Sequence, residues 1–277
     1  MAEIEARGIR LHYQRLGSGS ERVVFLHGFL WDNLSSWFFT AGTAMARHAE
    51  VLLYDLRGHG KSERPETGYT LEDMVADLDA ILDETGFGDR PVHLVGNSFG
   101  GLLALAYTIA HPERVASLVL VDAHTADETW AAEMRDTLLA QGQERDRKIT
   151  QEFHKWAGRH DDPRNTRLAK TAAKLLADTS MVEELTIPHV FRDEDLRSIC
   201  IPVLAMYGEH SEVRHKGERL RDQLPDCTFE IVAGGSHVIL LEETAKLRER
   251  IIVWIRDQGS RITAPQVNPV RLGAAGE

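Results

Sequence analysis

The chain has 277 residues, 43% hydrophobic and 27% charged, with 22 Gly and 9 Pro. Those proportions exclude a disordered or collagen-like chain and leave room for a sizeable core, and α/β folds of this length are routinely one domain. With 32 basic against 43 acidic side chains the net charge is −11, which repels a phosphate backbone, so no nucleic-acid partner is expected.

The longest apolar stretches, such as Leu102–Ala110, fall short of the roughly 18 residues that a spanning helix needs, so no membrane span is expected. No basic segment followed by an apolar one opens the chain, which speaks for a cytoplasmic protein. Cys200 and Cys227 form no Cys-x-x-Cys pair and suit core packing in a reducing compartment.

Strand candidates in the first half are Val23–His27, Val51–Asp55, Val92–Gly96 and Ser117–Asp122. Each is a near-continuous apolar run, as expected of a strand buried on both faces of a parallel sheet. Thr70 is placed to cap a helix in which Leu71, Met74, Val75, Leu78, Ile81 and Leu82 form one stripe, with Gly86 as its stop. Gly100–Ala110 reads as a helix rich in small residues, ended by His111-Pro112. This alternation predicts a doubly wound α/β sheet.

The rhythm breaks after Asp122. Trp130–Gln141, Arg145–Ala157 and Thr166–Ala177 are helical and charge-rich, with no convincing strand among them. It resumes with a strand at Ile201–Tyr207, a helix at Glu212–Leu224, a strand at Thr228–Val232 and one closing helix at Val238–Asp257. The expected organisation is a core of 1–125 and 198–258, a helical cap (lid) of 126–197, and a flexible tail of 259–277.

Gly96-Asn97-Ser98-Phe99-Gly100 closes a predicted strand and opens a predicted helix. A serine on so sharp a turn presents its Oγ to solvent, and glycines on either side let the helix fold back over the strand. That setting makes Ser98 the candidate nucleophile. Of 13 histidines, His237 is placed best to serve as base. It follows Gly234-Gly235-Ser236 after the last predicted strand, at the sheet edge that also bears Ser98. His27 suits loop ordering by hydrogen bonds, and His59 and His93 read as structural. The backbone N–H groups of Phe99, after the nucleophile, and of Phe29, after His27-Gly28, are the candidate oxyanion donors. Asp55 and Arg57 read as loop-ordering residues. Trp31, Trp37, Phe38 and Phe39 in the first loop, with Trp130, Phe153, Trp156 and Phe191 in the insert, suit either core or an apolar acyl pocket.

With these pieces in order, the chain resembles the α/β-hydrolase superfamily over roughly Ile4–Asp257. The matching motifs are His27-Gly28-Phe29, the segment Asp55-Leu56-Arg57-Gly58-His59-Gly60-Lys61-Ser62, the Gly96–Gly101 elbow and Gly235-Ser236-His237. The resemblance implies an α/β-hydrolase fold with an eight-stranded, mostly parallel sheet. It also implies a helical cap inserted after the sixth strand, a Ser–acid–His triad, and neither cofactor nor metal. Serine at the elbow speaks against the dehalogenase and epoxide hydrolase branches, which use aspartate there.

The acid departs from the family pattern. Most relatives carry aspartate three residues after the glycine that ends the Ile201–Tyr207 strand, and here Gly208-Glu209-His210 is followed by Ser211. Asp122, at the end of the preceding core strand, resembles the acid of dehalogenase-like and some thioesterase relatives. Glu209 and Glu212 flank the usual place and remain alternatives. The expected activity is hydrolysis of an ester or thioester of a hydrophobic acyl group, on a small-molecule or carrier-bound substrate. Two rivals stand beside it. The Gly-Asn-Ser elbow is similar to that of meta-cleavage-product hydrolases, which cleave carbon–carbon bonds and would want a polar group such as Asn33 near Phe29. A non-catalytic ligand receptor on the same scaffold is the other.

Overall fold

The apolar runs become the inner strands of one eight-stranded sheet. The computed structural model describes residues 2–30, 32–125, 163–185 and 191–263. Its strands are β1 (Ala2–Ala6), β2 (Ile9–Leu16), β3 (Arg22–Leu26), β4 (Glu50–Tyr54), β5 (Val92–Asn97), β6 (Val115–Val121), β7 (Val203–Gly208) and β8 (Cys227–Val232). Their order across the sheet is β1-β2-β4-β3-β5-β6-β7-β8. β2 pairs antiparallel with both β1 and β4, and every other neighbouring pair is parallel. This is the α/β-hydrolase fold. The six strands expected from apolar continuity are all present, with ends moved by one or two residues.

The hairpin β1–β2 was not among those expectations. Ala2–Ala6 reads Ala-Glu-Ile-Glu-Ala, alternating half-buried and exposed positions, the pattern of an edge strand wetted on one face rather than of a buried run. Arg7 and Gly8, at φ +52° and +76°, make the tight turn between the two strands.

Side chains along the inner strands alternate between two cores. Val24, Leu26, Leu52, Leu94, Leu118 and Leu120 face one; Val23, Phe25, Val51, Leu53, Val95 and Val119 face the other. The first core is covered by α1 (Leu71–Glu84) and α2 (Phe99–Ala110). Thr70 caps α1, its Oγ1 accepting the Asp73 N–H at 3.1 Å, and Gly86 turns the chain after it at φ +66°. The second core is covered by the short helical turns Ser35–Trp37, Phe38–Gly42 and Thr43–Met45 and by Leu247, Ile251, Trp254 and Ile255 of the last described helix.

After β6 the described chain resumes in α3 (Pro163–Asp178), α4 (Met181–Leu185) and α5 (Asp193–Arg197), then enters β7. Ala172, Leu175, Met181, Val182, Leu185 and Phe191 are buried in the first core. The expected helices Trp130–Gln141 and Arg145–Ala157 lie outside the described residues, as do Trp31, Trp130, Phe153 and Trp156. Of the other aromatics, Trp37 is fully buried and donates its Nε1–H to Leu26 O at 2.9 Å, whereas Phe39 is 74% exposed.

α6 (Arg214–Gln223) follows β7, and α7 (Ile239–Glu242) and α8 (Thr244–Thr263) follow β8. The end of the chain departs from expectation in two ways. The closing helix is divided at Glu243, whose φ −117° and ψ 34° leave the helical region. It also runs past Gly259, where the tail was expected to begin, to Thr263. Near its end the helix packs against the residue before β3: a Cβ at Gly259 would lie 2.6 Å from Glu21 Cδ, so glycine is what permits the approach. Residues 264–277 lie outside the described residues. Cys200 is exposed and Cys227 half-buried, so Cys200 is not the core residue expected. Among the described residues, no helix is long and apolar enough to cross a membrane.

Candidate active site

The carboxyl ends of β5, β6 and β8 carry three polar side chains toward one point. At the end of β5 the chain reverses into α2 through Ser98, held at φ +50° and ψ −117°. Such a conformation costs a non-glycine residue about 1–3 kcal/mol and persists only where its surroundings enforce it. Here Ser98 N–H is donated to Val121 O at 3.0 Å, and Ser98 O accepts from Gly101 N–H and His124 N–H at 3.1 Å each. The turn also needs its glycines. A Cβ at Gly96 would lie 2.3 Å from Gly100 O, and one at Gly100 would lie 2.1 Å from Leu26 O.

Ser98 Oγ lies 3.1 Å from His237 Nε2. The other ring nitrogen, Nδ1, donates to Asp122 Oδ2 at 2.6 Å. That bond fixes the tautomer and leaves the Nε2 lone pair facing the serine hydroxyl. His237 stands on the loop after β8, which Glu242 clamps by accepting Ser236 N–H at 2.8 Å and Ser236 Oγ–H at 2.9 Å. Asp122 ends β6 in a kink at φ +48° and is 1% exposed. Burial disfavours the charged imidazole, but the hydrogen bond and charge of Asp122, joined by the charge of Glu212, outweigh it. The His237 pKa therefore lies above the ordinary 6.5, with Lys216 opposing the rise.

The alternative acids lie elsewhere. Glu209 is exposed, its Oε2 accepting the Gly234 N–H at 2.9 Å. Glu212 is also exposed and reaches His237 only through its field. The structure thus brings Ser98, His237 and Asp122 together and leaves Glu209 and Glu212 outside hydrogen-bonding reach of that ring.

The loop after β3 is held from several sides. His27 donates Nδ1–H to Gly28 O at 2.7 Å and accepts Leu56 N–H on Nε2 at 3.0 Å. His59 accepts Leu30 N–H at 3.0 Å while donating to Arg57 O at 2.8 Å. Burial and the neighbouring His27 push His59 down to about 3, so it stays neutral and structural. Asp55 accepts the backbone N–H groups of Leu34 and Lys61, and Arg57 pairs with Asp77; both order loops. The rings of Phe29 and Phe99, whose amides are the candidate oxyanion donors, pack 5.0 Å apart and bring the two loops together.

Three further residues shape the site, none of them among the candidates for it in the sequence. Asp32 accepts the Gly28 N–H at 2.7 Å and lies 3.3 Å from Asn97 Nδ2, tying this loop to the elbow. His124 packs edge-on against His237 at 5.2 Å, and burial followed by the charge of His237 drives its pKa well below the ordinary value. Ser211, at the place where the family pattern wants an acid, donates its hydroxyl to Asp122 Oδ2. Only Ser211 had left a signal, as a departure from that pattern.

A family model described as the alpha/beta hydrolase fold matches residues 21–244. The chain belongs to the α/β-hydrolases. This α/β-hydrolase is 40% identical over 114 residues to the dihydrolipoyllysine-residue acetyltransferase component of the acetoin cleaving system of Cupriavidus necator. That match covers 41% of the chain and 29% of the relative, so the chain spans less than a third of that protein's length. It is 29% identical over 265 residues to a 2-hydroxy-6-oxononadienedioate/2-hydroxy-6-oxononatrienedioate hydrolase of Paraburkholderia phymatum, covering 89% of the chain and 91% of the relative. Among solved structures, an esterase from Exiguobacterium antarcticum superposes with a TM-score of 0.76 at 20% identity, covering 92% of this chain and 98% of that one. At that identity the likeness shows the shared fold.

Proposed function

We propose that this α/β-hydrolase is a serine hydrolase that cleaves an ester or thioester of a hydrophobic acyl group. The reading rests on one observation: Ser98 Oγ, His237 and Asp122 form a continuous hydrogen-bonded line of 3.1 Å and 2.6 Å. Ser98 Oγ attacks the carbonyl carbon while its proton passes to His237 Nε2. Asp122 holds the imidazole in the required tautomer and stabilises the imidazolium that forms. The Phe29 and Phe99 amides donate to the developing oxyanion, each worth a few kcal/mol of transition-state stabilisation. His237 then protonates the departing alkoxide or thiolate. In the second half it takes a proton from water, which attacks the acyl-enzyme, and returns that proton to the departing Ser98 Oγ as the carboxylic acid is released.

In this reading the substrate is a small-molecule or carrier-bound acyl compound, and residues 126–197 act as a cap over the core of 1–125 and 198–258. The seating of α4 supports the cap: Glu184 accepts backbone N–H groups from Gly68 and Tyr69, and Met181, Val182 and Leu185 are buried.

Carbon–carbon hydrolysis of a vinylogous diketone is the second reading, favoured by the relative from Paraburkholderia phymatum. Asn33 could serve it only through Nδ2, because its Oδ1 is occupied by Ser35 N–H and Ser35 Oγ–H at a helix start. The test compares short p-nitrophenyl esters with a dienol-ketone. Ester turnover at least tenfold the faster, and lost in Ser98→Ala, is the expected result. Faster dienol-ketone turnover overturns the ester assignment, and undiminished turnover in Ser98→Ala overturns the nucleophile.

A further inference from the structure

The seat of Asp122 is built from the turn that follows β7. Asp122 Oδ1 accepts the Gly208 N–H at 2.8 Å, and Oδ2 accepts the hydroxyl of Ser211 together with His237 Nδ1–H. Ser211 is 8% exposed, and its own Oγ accepts the Val213 N–H at 3.2 Å. With that lone pair used and a carboxylate opposite, the single hydroxyl hydrogen points at Oδ2. The turn closes on itself through Ser211 N–H to Gly208 O at 3.2 Å, so both donors move as one unit. A carboxylate free to rotate about its last torsion is a poor orienter. Pinned at both oxygens, it has one direction left to offer the imidazole.

We propose that Ser211 is a positioning residue, whose hydroxyl locks the Asp122 carboxylate in the orientation that accepts the Nδ1–H of His237. The inference rests on the catalytic reading of Ser98, His237 and Asp122. The residue that breaks the family pattern thereby supports the acid that replaced the missing one. The hydroxyl does more than orient. Its positive end, shared with the imidazole on one oxygen, withdraws charge from Oδ2 and disfavours imidazolium. Other groups that bear on the ring are Glu212 and Lys216 around the start of α6 and the neutral His124 after β6.

The test uses the full chain with Ser211→Ala, Ser211→Thr and Ser211→Cys. Two measurements are made on each: p-nitrophenyl ester kinetics, and an NMR titration of 15N-labelled His237. Ser211→Ala is expected to lower kcat about tenfold with KM within about twofold, and to shift the His237 titration from its wild-type position. Ser211→Thr, which keeps the hydroxyl, restores both. Ser211→Cys preserves the shape with a weaker donor, so it falls between, and it carries the test if the alanine variant fails to fold. An Ala or Cys variant with wild-type kcat and titration overturns the proposal, as does a folded Thr variant that restores neither. If the wild-type protein hydrolyses no ester and Ser98 resists a fluorophosphonate, the catalytic reading has failed instead, and the titration still reports whether Ser211 governs His237.

Discussion

Asp122 is a carboxylate at 1% exposure that keeps three donors on two oxygens. Hydrogen bonds to a charged group are worth about 1.5–3 kcal/mol each, which offsets the cost of burying it. Its hydrogen bond and its charge, with the charge of Glu212, also hold the His237 pKa above 6.5 against burial. Because the base acts as neutral imidazole, activity should fall as pH drops through that raised pKa. Asp122→Asn removes the charge while burial remains, so the acid limb of kcat/KM should move below the ordinary histidine value. The asparagine amide also favours the wrong tautomer, and kcat should fall by about 10⁴. Glu209→Gln should leave kcat within about twofold. A pH–rate profile of the two variants checks this, and the reverse ranking assigns the acid to Glu209.

Among the elements, α4 is joined to the core by more than apolar contact. The Glu184 carboxylate receives the Gly68 and Tyr69 N–H groups, and the Tyr69 hydroxyl donates to Pro65 O at 2.8 Å. The loop that follows Ser62 is thus held by a helix more than a hundred residues later in the chain. Glu184→Ala leaves two backbone donors without their acceptor, so it should cost about 1–3 kcal/mol in urea unfolding. An unchanged midpoint and slope contradict the anchoring.

Across the whole molecule, the fold was legible where burial is two-sided. β3 to β7 announce themselves as apolar runs because parallel strands inside the sheet present no wet face, whereas β8, at its edge, is only partly buried. β1 and β2 lack that signature, since an edge hairpin alternates and its Glu3 and Glu5 face water. The run of α8 past Gly259 went unread because that glycine serves a close approach to Glu21 and does not stop the helix. At the site, Ser98 and His237 were legible from strand-end glycine turns, which are local. The Ser211–Asp122 bond joins residues 89 apart. It arises only because β6 and β7 are neighbours in the sheet, and no short pattern encodes that adjacency.

The convergence of strand ends makes the hydroxyl of Ser98 nucleophilic in the proposed reaction. Peptide mapping by mass spectrometry, after treating the full-length protein with a fluorophosphonate, tests it most directly. One adduct is expected, on Ser98, forming at least a hundredfold more slowly in His237→Ala. An adduct on another residue, or a rate indifferent to the loss of His237, contradicts it.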